Sequence, residues 1–241
     1  MDRGSSLKAA VDPRGVVPID NPQKSSHGSP PEGCHGLCLP NPARAAFIGG
    51  VSRGKTNALI CAAAHCHSWS PFKHVYLMSP NNETTRAGEY GILDEVTCLD
   101  SFPEVGYFAG RAGRSLLIID DLSWALSKRG SPSQYELADR ICGHVSSHHE
   151  GGLTIMVAQQ THTGIPPNIR RLMSHWFLFP RRIAIDSVGA IARSCMLEKA
   201  TLKKCLDFCE GDYDFLLVEN IPVEHRSRAR LNGWRNVKGL L

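Results

Sequence analysis

The chain lacks what would place it in a membrane or in an oxidising compartment. No apolar run approaches the roughly 18 residues of a membrane-spanning helix, and none follows Met1-Asp2-Arg3-Gly4, so neither a span nor a secretory signal is expected. The nine cysteines are odd in number and scattered through apolar segments. That distribution suits small core residues of a soluble, intracellular protein better than a disulfide framework. Aromatic residues are sparse, at 7%. Strong charge of one sign is also missing: the formal net charge is +4, too little by itself to argue for nucleic acid.

What is present is a hydrophobic fraction of 42% over 241 residues, enough for one globular domain with extensions. Residues 1–42 hold seven of the fifteen prolines and show neither a helical nor a strand period, which predicts a mostly disordered N-terminal arm. Cys34, His35 and Cys38 lie in that arm, but no second ligand pair with finger spacing follows them. The positive excess sits in 222–241, where Arg226, Arg228, Arg230, Arg235 and Lys238 face only Glu224. A basic C-terminal tail of this kind either contacts phosphate backbone or is simply solvated.

Between these ends, residues 43–221 alternate strand and helix. Strands are expected at 45–48, 75–78, 116–119, 154–158, 176–179 and 215–218. Helices are expected at 55–67, around 88–99, from Ser133, and over 186–208 with one break. Ser133-x-x-Glu136 reads as a capping box, followed by Leu137, Ile141 and Val145 at four-residue spacing. Aliphatic strands separated by helices predict a mostly parallel sheet covered on both faces, with ligands bound beyond the carboxyl ends of the strands.

Three motifs fall at such ends. Gly49-Gly50-Val51-Ser52-Arg53-Gly54-Lys55-Thr56 matches G-x-x-x-x-G-K-[ST] in full, with a strand before it and a helix after. Glycine lets successive backbone N–H groups turn toward one anion, and the helix terminus adds its dipole. Lys55 would reach the β- and γ-phosphates of ATP, and Thr56 would ligate Mg²⁺. In Leu116-Leu117-Ile118-Ile119-Asp120-Asp121 an apolar strand runs into two carboxylates. Asp120 is assigned to the metal and Asp121 to the attacking water. Val157-Ala158-Gln159-Gln160 ends a strand in an amide, and two-residue alternation from Met156 and Ala158 selects Gln160 as the side chain facing the site, with one residue of latitude.

In chain order, a full strand at 75–78 separates the phosphate-loop helix from the Asp-Asp strand, unlike the small GTPases and kinases. Phosphate loop, extra strand, Asp-Asp strand and Gln-ending strand together resemble the FtsK/HerA superfamily, over about 45–182. Within it the short length is similar to the genome-packaging ATPases of poxviruses and adenovirus-like DNA viruses. The resemblance implies a RecA-like, additional-strand P-loop NTPase. It implies a homo-oligomeric ring that hydrolyses ATP with Mg²⁺ and translocates double-stranded DNA, with a possible capsid partner, in the host nucleus or cytoplasm. It matches Lys55 and Thr56 to the Walker A pair, Asp120 and Asp121 to the Walker B pair, and Gln160 to a glutamine sensor. Many members carry Glu where Asp121 stands; Asp is one methylene shorter, which shortens its reach to the water. The ring mechanism also calls for an arginine from a neighbouring subunit. Arg170 and Arg171 are the candidates, Arg181 and Arg182 the runners-up, and Arg53 lies where it could touch nucleotide directly. The loops 80–92 and 127–133 are candidates for the pore.

Alternatives stay open. A helicase-like enzyme or a loader would share the phosphate loop, and a nucleotide-binding scaffold would share it without hydrolysis. His144, with His148 and His149, could hold a metal or simply favour a helix C-terminus. Cys61, His65, Cys66 and His67, like Cys205 and Cys209, read as core packing.

Overall fold

A computed structural model describes residues 39–80, 93, 95–109, 111–122, 132–146, 151–180, 185–220, 229–232 and 235–236. The strands are β1 Arg44–Ile48, β2 His74–Met78, β3 Val96–Cys98, β4 Ser115–Asp120, β5 Leu153–Gln159, β6 His175–Leu178, β7 Leu216–Glu219, β8 Ala229–Leu231 and β9 Arg235–Asn236. The helices are α1 Lys55–Trp69, α2 Gly106–Ala109, α3 Pro132–Arg140, α4 Pro167–Leu172, α5 Ile185–Ser194 and α6 Lys199–Leu206. A π-helical turn, Ile141–Val145, extends α3, and a 3₁₀ turn, His162–Gly164, precedes α4.

The strands form one sheet in the order β3-β2-β4-β5-β1-β6-β7-β8-β9. From β3 to β6 every pairing is parallel; from β6 to β9 every pairing is antiparallel. The expectation of an α/β fold with a mostly parallel sheet holds. In chain order the strand at 75–78 falls between α1 and β4, as expected. It is β2, and it lies on the far side of β4 from β1. The strand placed between the phosphate-loop strand and the Asp-Asp strand is β5, the one that ends in glutamine. Chain order and sheet order differ because each parallel crossover returns over a face of the sheet and is free to land beyond its nearest neighbour.

β4 and β5 are buried along their whole length, as strands with helices on both faces must be. Alternate residues feed two cores. Leu116, Ile118, Met156, Ala158 and Phe47 pack with Leu59, Ala62, Ala63 and Cys66 of α1. The i, i+3, i+4, i+7 spacing of these α1 residues makes a single face, and its two alanines let the helix lie close to the sheet. Phe47 and Phe177 stack across β1 and β6 with centroids 4.2 Å apart. On the opposite face Leu117, Ile119, Ile155 and Val157 meet Ile141, Val145, Ile169, Ile191 and Leu202. Burying each such aliphatic side chain contributes about 1.5–3 kcal/mol.

Several boundaries differ from expectation. The helix expected around 88–99 gives way to β3 at its C-terminal end, while 81–92 lies outside the described residues. Val96-Thr97-Cys98 is partly exposed at a sheet edge, where a three-residue strand leaves little period to read. Helix α3 opens at Pro132, one residue ahead of the expected cap Ser133, because a fixed φ and a missing N–H suit the first helical turn. The 186–208 segment is two helices, α5 and α6. Within the segment expected as a basic tail, β8 and β9 add to the sheet. Residues 39–42 of the expected arm pack against the domain. Leu39 is buried beside α1, and the Asn41 side chain donates to the Gly151 carbonyl at 3.0 Å.

Candidate functional site

Parallel strands end on the same edge of a sheet, and here register fixes what meets there. Ile48 of β1 is level with Gln159 of β5, and Asp120 of β4 is level with Ala158. The first residues past β1, β4 and β5 are therefore neighbours. Gly49 N–H donates to the Gln159 carbonyl at 3.2 Å, and Asp121 N–H donates to the Ala158 carbonyl at 2.9 Å.

The phosphate loop turns in two left-handed steps, Ser52 at φ 57° and Gly54 at φ 81°. Gly54 is the residue immediately before α1. Its lack of a side chain makes the second step inexpensive. Gly49 is glycine for another reason: a Cβ there would sit 2.5 Å from the Cβ of Phe179, inside contact distance. Lys55 is buried, and its Nζ donates to the Gly50 carbonyl at 2.8 Å, which folds the ammonium over the loop it belongs to.

At the other side of the loop Thr56 Oγ1 stands 3.5 Å from Asp120 Oδ2, with Asp120 buried. A hydroxyl and a carboxylate converging at this distance are the hard oxygen ligands that Mg²⁺ takes, so the residues present fit that ion. Asp121 breaks the strand alternation: its φ of 59° is left-handed, a conformation aspartate tolerates better than most residues. The Gln160 amide donates to Asp121 Oδ2 at 2.9 Å. Gln160 is exposed at this edge, whereas Gln159 is buried.

The structure thus brings together Gly49, Gly50, Val51, Ser52, Gly54, Lys55, Thr56, Asp120, Asp121 and Gln160. Arg53 turns aside: its Nη1 pairs with Asp212 Oδ1 at 3.3 Å. Arg170 is half-buried on α4 and donates from Nη1 to His162 Nδ1 at 2.9 Å. His162 is buried, and its other ring nitrogen lies 2.9 Å from Ser194 Oγ. Burial, reinforced by the Arg170 and Arg193 charges, pushes the His162 pKa down to about 4. The ring is therefore neutral and accepts from Arg170. Arg171 is exposed on the same helix.

Arg181, Arg182, His148, His149, Cys34, His35 and Cys38 lie outside the described residues, as do nearly all of the two loops suggested for the pore. Among the described residues no cluster of three or more His, Cys, Asp or Glu is arranged to hold a metal. Among them, too, no helix is long and apolar enough to cross a membrane. Cys66, Cys205 and Cys209 are buried thiols, and Cys61 is half-buried.

A further residue borders the phosphate loop. Tyr213, in the turn before β7, is 70% exposed and lines an open pocket of about 290 Å³ with Ser52 to Asn57. It is remote in sequence from the phosphate loop, and nothing local marks it.

By sequence the chain matches no protein-family model and no curated protein. By structure it is similar to B204, the DNA-packaging ATPase of Sulfolobus turreted icosahedral virus, with a TM-score of 0.54 and 15% identity over 74% of this chain and 93% of that one. The two share an α/β fold. The pCW3 conjugation coupling protein TcpA, solved with ATPγS, gives a TM-score of 0.53 at 11% identity over 80% of this chain and 60% of that one. The genome-packaging NTPase B204 of Sulfolobus turreted icosahedral virus 2, solved with sulfate, gives 0.50 at 14% identity, covering 74% of this chain and 91% of that one. The chain has the fold of these P-loop NTPases.

Proposed function

We propose that the chain is an ATPase that drives double-stranded DNA through a ring of its own copies and so packages a viral genome into a capsid. The observation that carries this reading is the meeting of the phosphate loop, the Thr56–Asp120 pair and the Asp121–Gln160 pair at one sheet edge. The fold it shares with a DNA-packaging ATPase and a conjugation coupling protein supports the choice of DNA as partner.

In this reading the N–H groups of 49–56 bind the phosphates of ATP. Lys55 exchanges the Gly50 carbonyl for phosphate oxygens, a swap that retains its hydrogen bond. Thr56 and Asp120 would hold Mg²⁺, which would screen the phosphate charge. Asp121 accepts a hydrogen bond from the attacking water and aligns it with the γ-phosphorus. The water oxygen bonds to phosphorus as the bond to the β–γ bridging oxygen breaks, and the water's proton passes toward the carboxylate. Gln160 fixes the Asp121 carboxylate before reaction and connects its position to β5 and the turn beyond it. Arg171, exposed on α4, suits the role of the arginine supplied to a neighbouring subunit better than Arg170, which His162 already engages. Contacts to DNA would be made to phosphates, independent of sequence and weakened by salt.

The test is phosphate release from ATP by the purified protein, with and without duplex DNA, beside Lys55→Ala. Hydrolysis stimulated by DNA and lost in the variant is the expected result. Hydrolysis indifferent to DNA would move the protein to another P-loop role, and ATP binding without hydrolysis would make it a scaffold.

A further inference from the structure

The reversal of direction at β7 has a consequence for the site. β7 runs antiparallel to β6, with Leu216 level with Leu178. The turn that enters β7 therefore lies at the edge where the parallel strands end. β8 reverses again, with Leu231 level with Leu216, so the turn that leaves it arrives at the same edge. These two turns brace each other. Asp214 accepts from the Gly211 N–H at 2.8 Å and from the Asn232 side chain at 2.8 Å. Phe215 N–H donates to Asn232 Oδ1 at 2.9 Å, and Asn232 N–H donates to the Phe215 carbonyl at 2.8 Å. Asp212 adds its ion pair to Arg53 within the phosphate loop.

This bracing holds Tyr213 against the phosphate loop with most of its ring in solvent. A Cβ on Gly54 would lie 3.3 Å from Tyr213 Cδ1, so the ring packs closely over the bare backbone of Gly54. A large aromatic side chain kept 70% exposed by four hydrogen bonds and an ion pair is not serving the core. The open pocket it borders has Ser52 to Asn57 as its remaining lining, and neither Asp120 nor Asp121 lines it. The reacting end of a bound triphosphate belongs with Asp120 and Asp121. Its other end then leaves the loop past Thr56 and Asn57, toward Tyr213.

We propose that Tyr213 forms the nucleobase subsite, its ring stacking on the base of the nucleoside triphosphate whose phosphates the 49–56 loop holds. The inference rests on the nucleotide-binding reading above and extends it to the base. Stacking on one aromatic face accepts any base. Stacking does not read the edge of the base, so ATP and GTP are expected to bind with similar affinity. Tyr213 is here a binding residue, with no part in the chemistry.

The test measures the affinity of the full chain, with Mg²⁺ present, for ATP, GTP and inorganic tripolyphosphate by calorimetry. The proteins compared are the wild type, Tyr213→Ala, Tyr213→Phe and Lys55→Ala. Thermal melting checks that each variant folds. Tyr213→Ala is expected to bind ATP and GTP about tenfold more weakly, the usual worth of a stacked base. It should bind tripolyphosphate as the wild type does, and Tyr213→Phe should restore nucleotide affinity. Unchanged ATP binding in Tyr213→Ala overturns the proposal, as does an equal loss for tripolyphosphate, which would make the tyrosine a prop for the loop. A Phe variant as weak as the Ala variant also overturns stacking. Failure of the underlying reading looks different: the wild type would bind neither ATP nor tripolyphosphate, or Lys55→Ala would bind both as well as the wild type.

Discussion

The parallel and antiparallel parts of this one sheet reach the same edge by opposite routes. In the parallel part, β1, β4 and β5 all finish there, and each contributes the residue that follows its last pair: Gly49, Asp121 and Gln160. In the antiparallel part β7 begins there and β8 finishes there, so the contribution comes from the two turns around Tyr213 and Asn232. The first route places carboxylates and an amide where phosphate chemistry would occur. The second places an aromatic ring where the base would lie. A reversed strand at the flank of a parallel sheet is thus a way to bring a loop to the site without lengthening the loops of the parallel strands.

This division can be broken from either side. The largest effect is expected from Asp121→Asn, which keeps the shape but removes the charge proposed to align and accept from water. ATP hydrolysis should fall by about 10²–10⁴-fold with nucleotide affinity retained, as measured by phosphate release and by calorimetry. A fall below about tenfold would remove Asp121 from the chemistry.

A pH effect of intermediate size belongs to the parallel part alone. The His162 pKa is held at about 4 in the folded chain against an ordinary 6.5. The unfolded chain therefore takes up this proton first, so this contribution to stability is present above pH 6.5 and is lost as pH falls toward 4. Urea unfolding at pH 7.5 and at pH 5 should differ by on the order of 1–2 kcal/mol from this group, and His162→Asn should flatten that difference. An unchanged pH dependence in the variant would show that other groups set it.

The smallest effect is expected from Asp212→Ala. The Arg53–Asp212 pair is solvent-accessible, with the Asp212 side chain 60% exposed. Its loss should cost less than about 1 kcal/mol in thermal unfolding. Nucleotide affinity should fall by no more than a few-fold, because Asp214 and Asn232 still brace the turn. A loss as large as that of Tyr213→Ala would instead assign the bracing chiefly to the ion pair.

The sequence was most legible where local chemistry and position coincide. The phosphate loop is contiguous, so its glycines, Lys55 and Thr56 could be read directly. Asp120 and Asp121 stood out because a fully apolar strand runs into them. Gln160 followed from alternation because β5 is regular up to its end. Asp121 was legible as a residue but not as a conformation: strict alternation would send it to the opposite face, and only the left-handed backbone turns it toward Gln160. The place of β5 between β1 and β4 was not legible, because crossovers hide sheet order from chain order. β3, β8 and β9 escaped notice because strands of two or three residues carry no period. Tyr213 escaped for a different reason. Its place depends on the direction of β7 and on side-chain bonds from Asn232, both of which are long-range facts.

The most direct test of this account is steady-state ATP hydrolysis against ATP concentration for the wild type, Asp121→Asn and Tyr213→Ala side by side. The account predicts that Asp121→Asn lowers kcat with little change in KM, while Tyr213→Ala raises KM about tenfold with kcat nearly retained. If both variants lower kcat alike, or if Tyr213→Ala leaves KM at the wild-type value, the two parts of the sheet do not divide the nucleotide between them and the account is wrong.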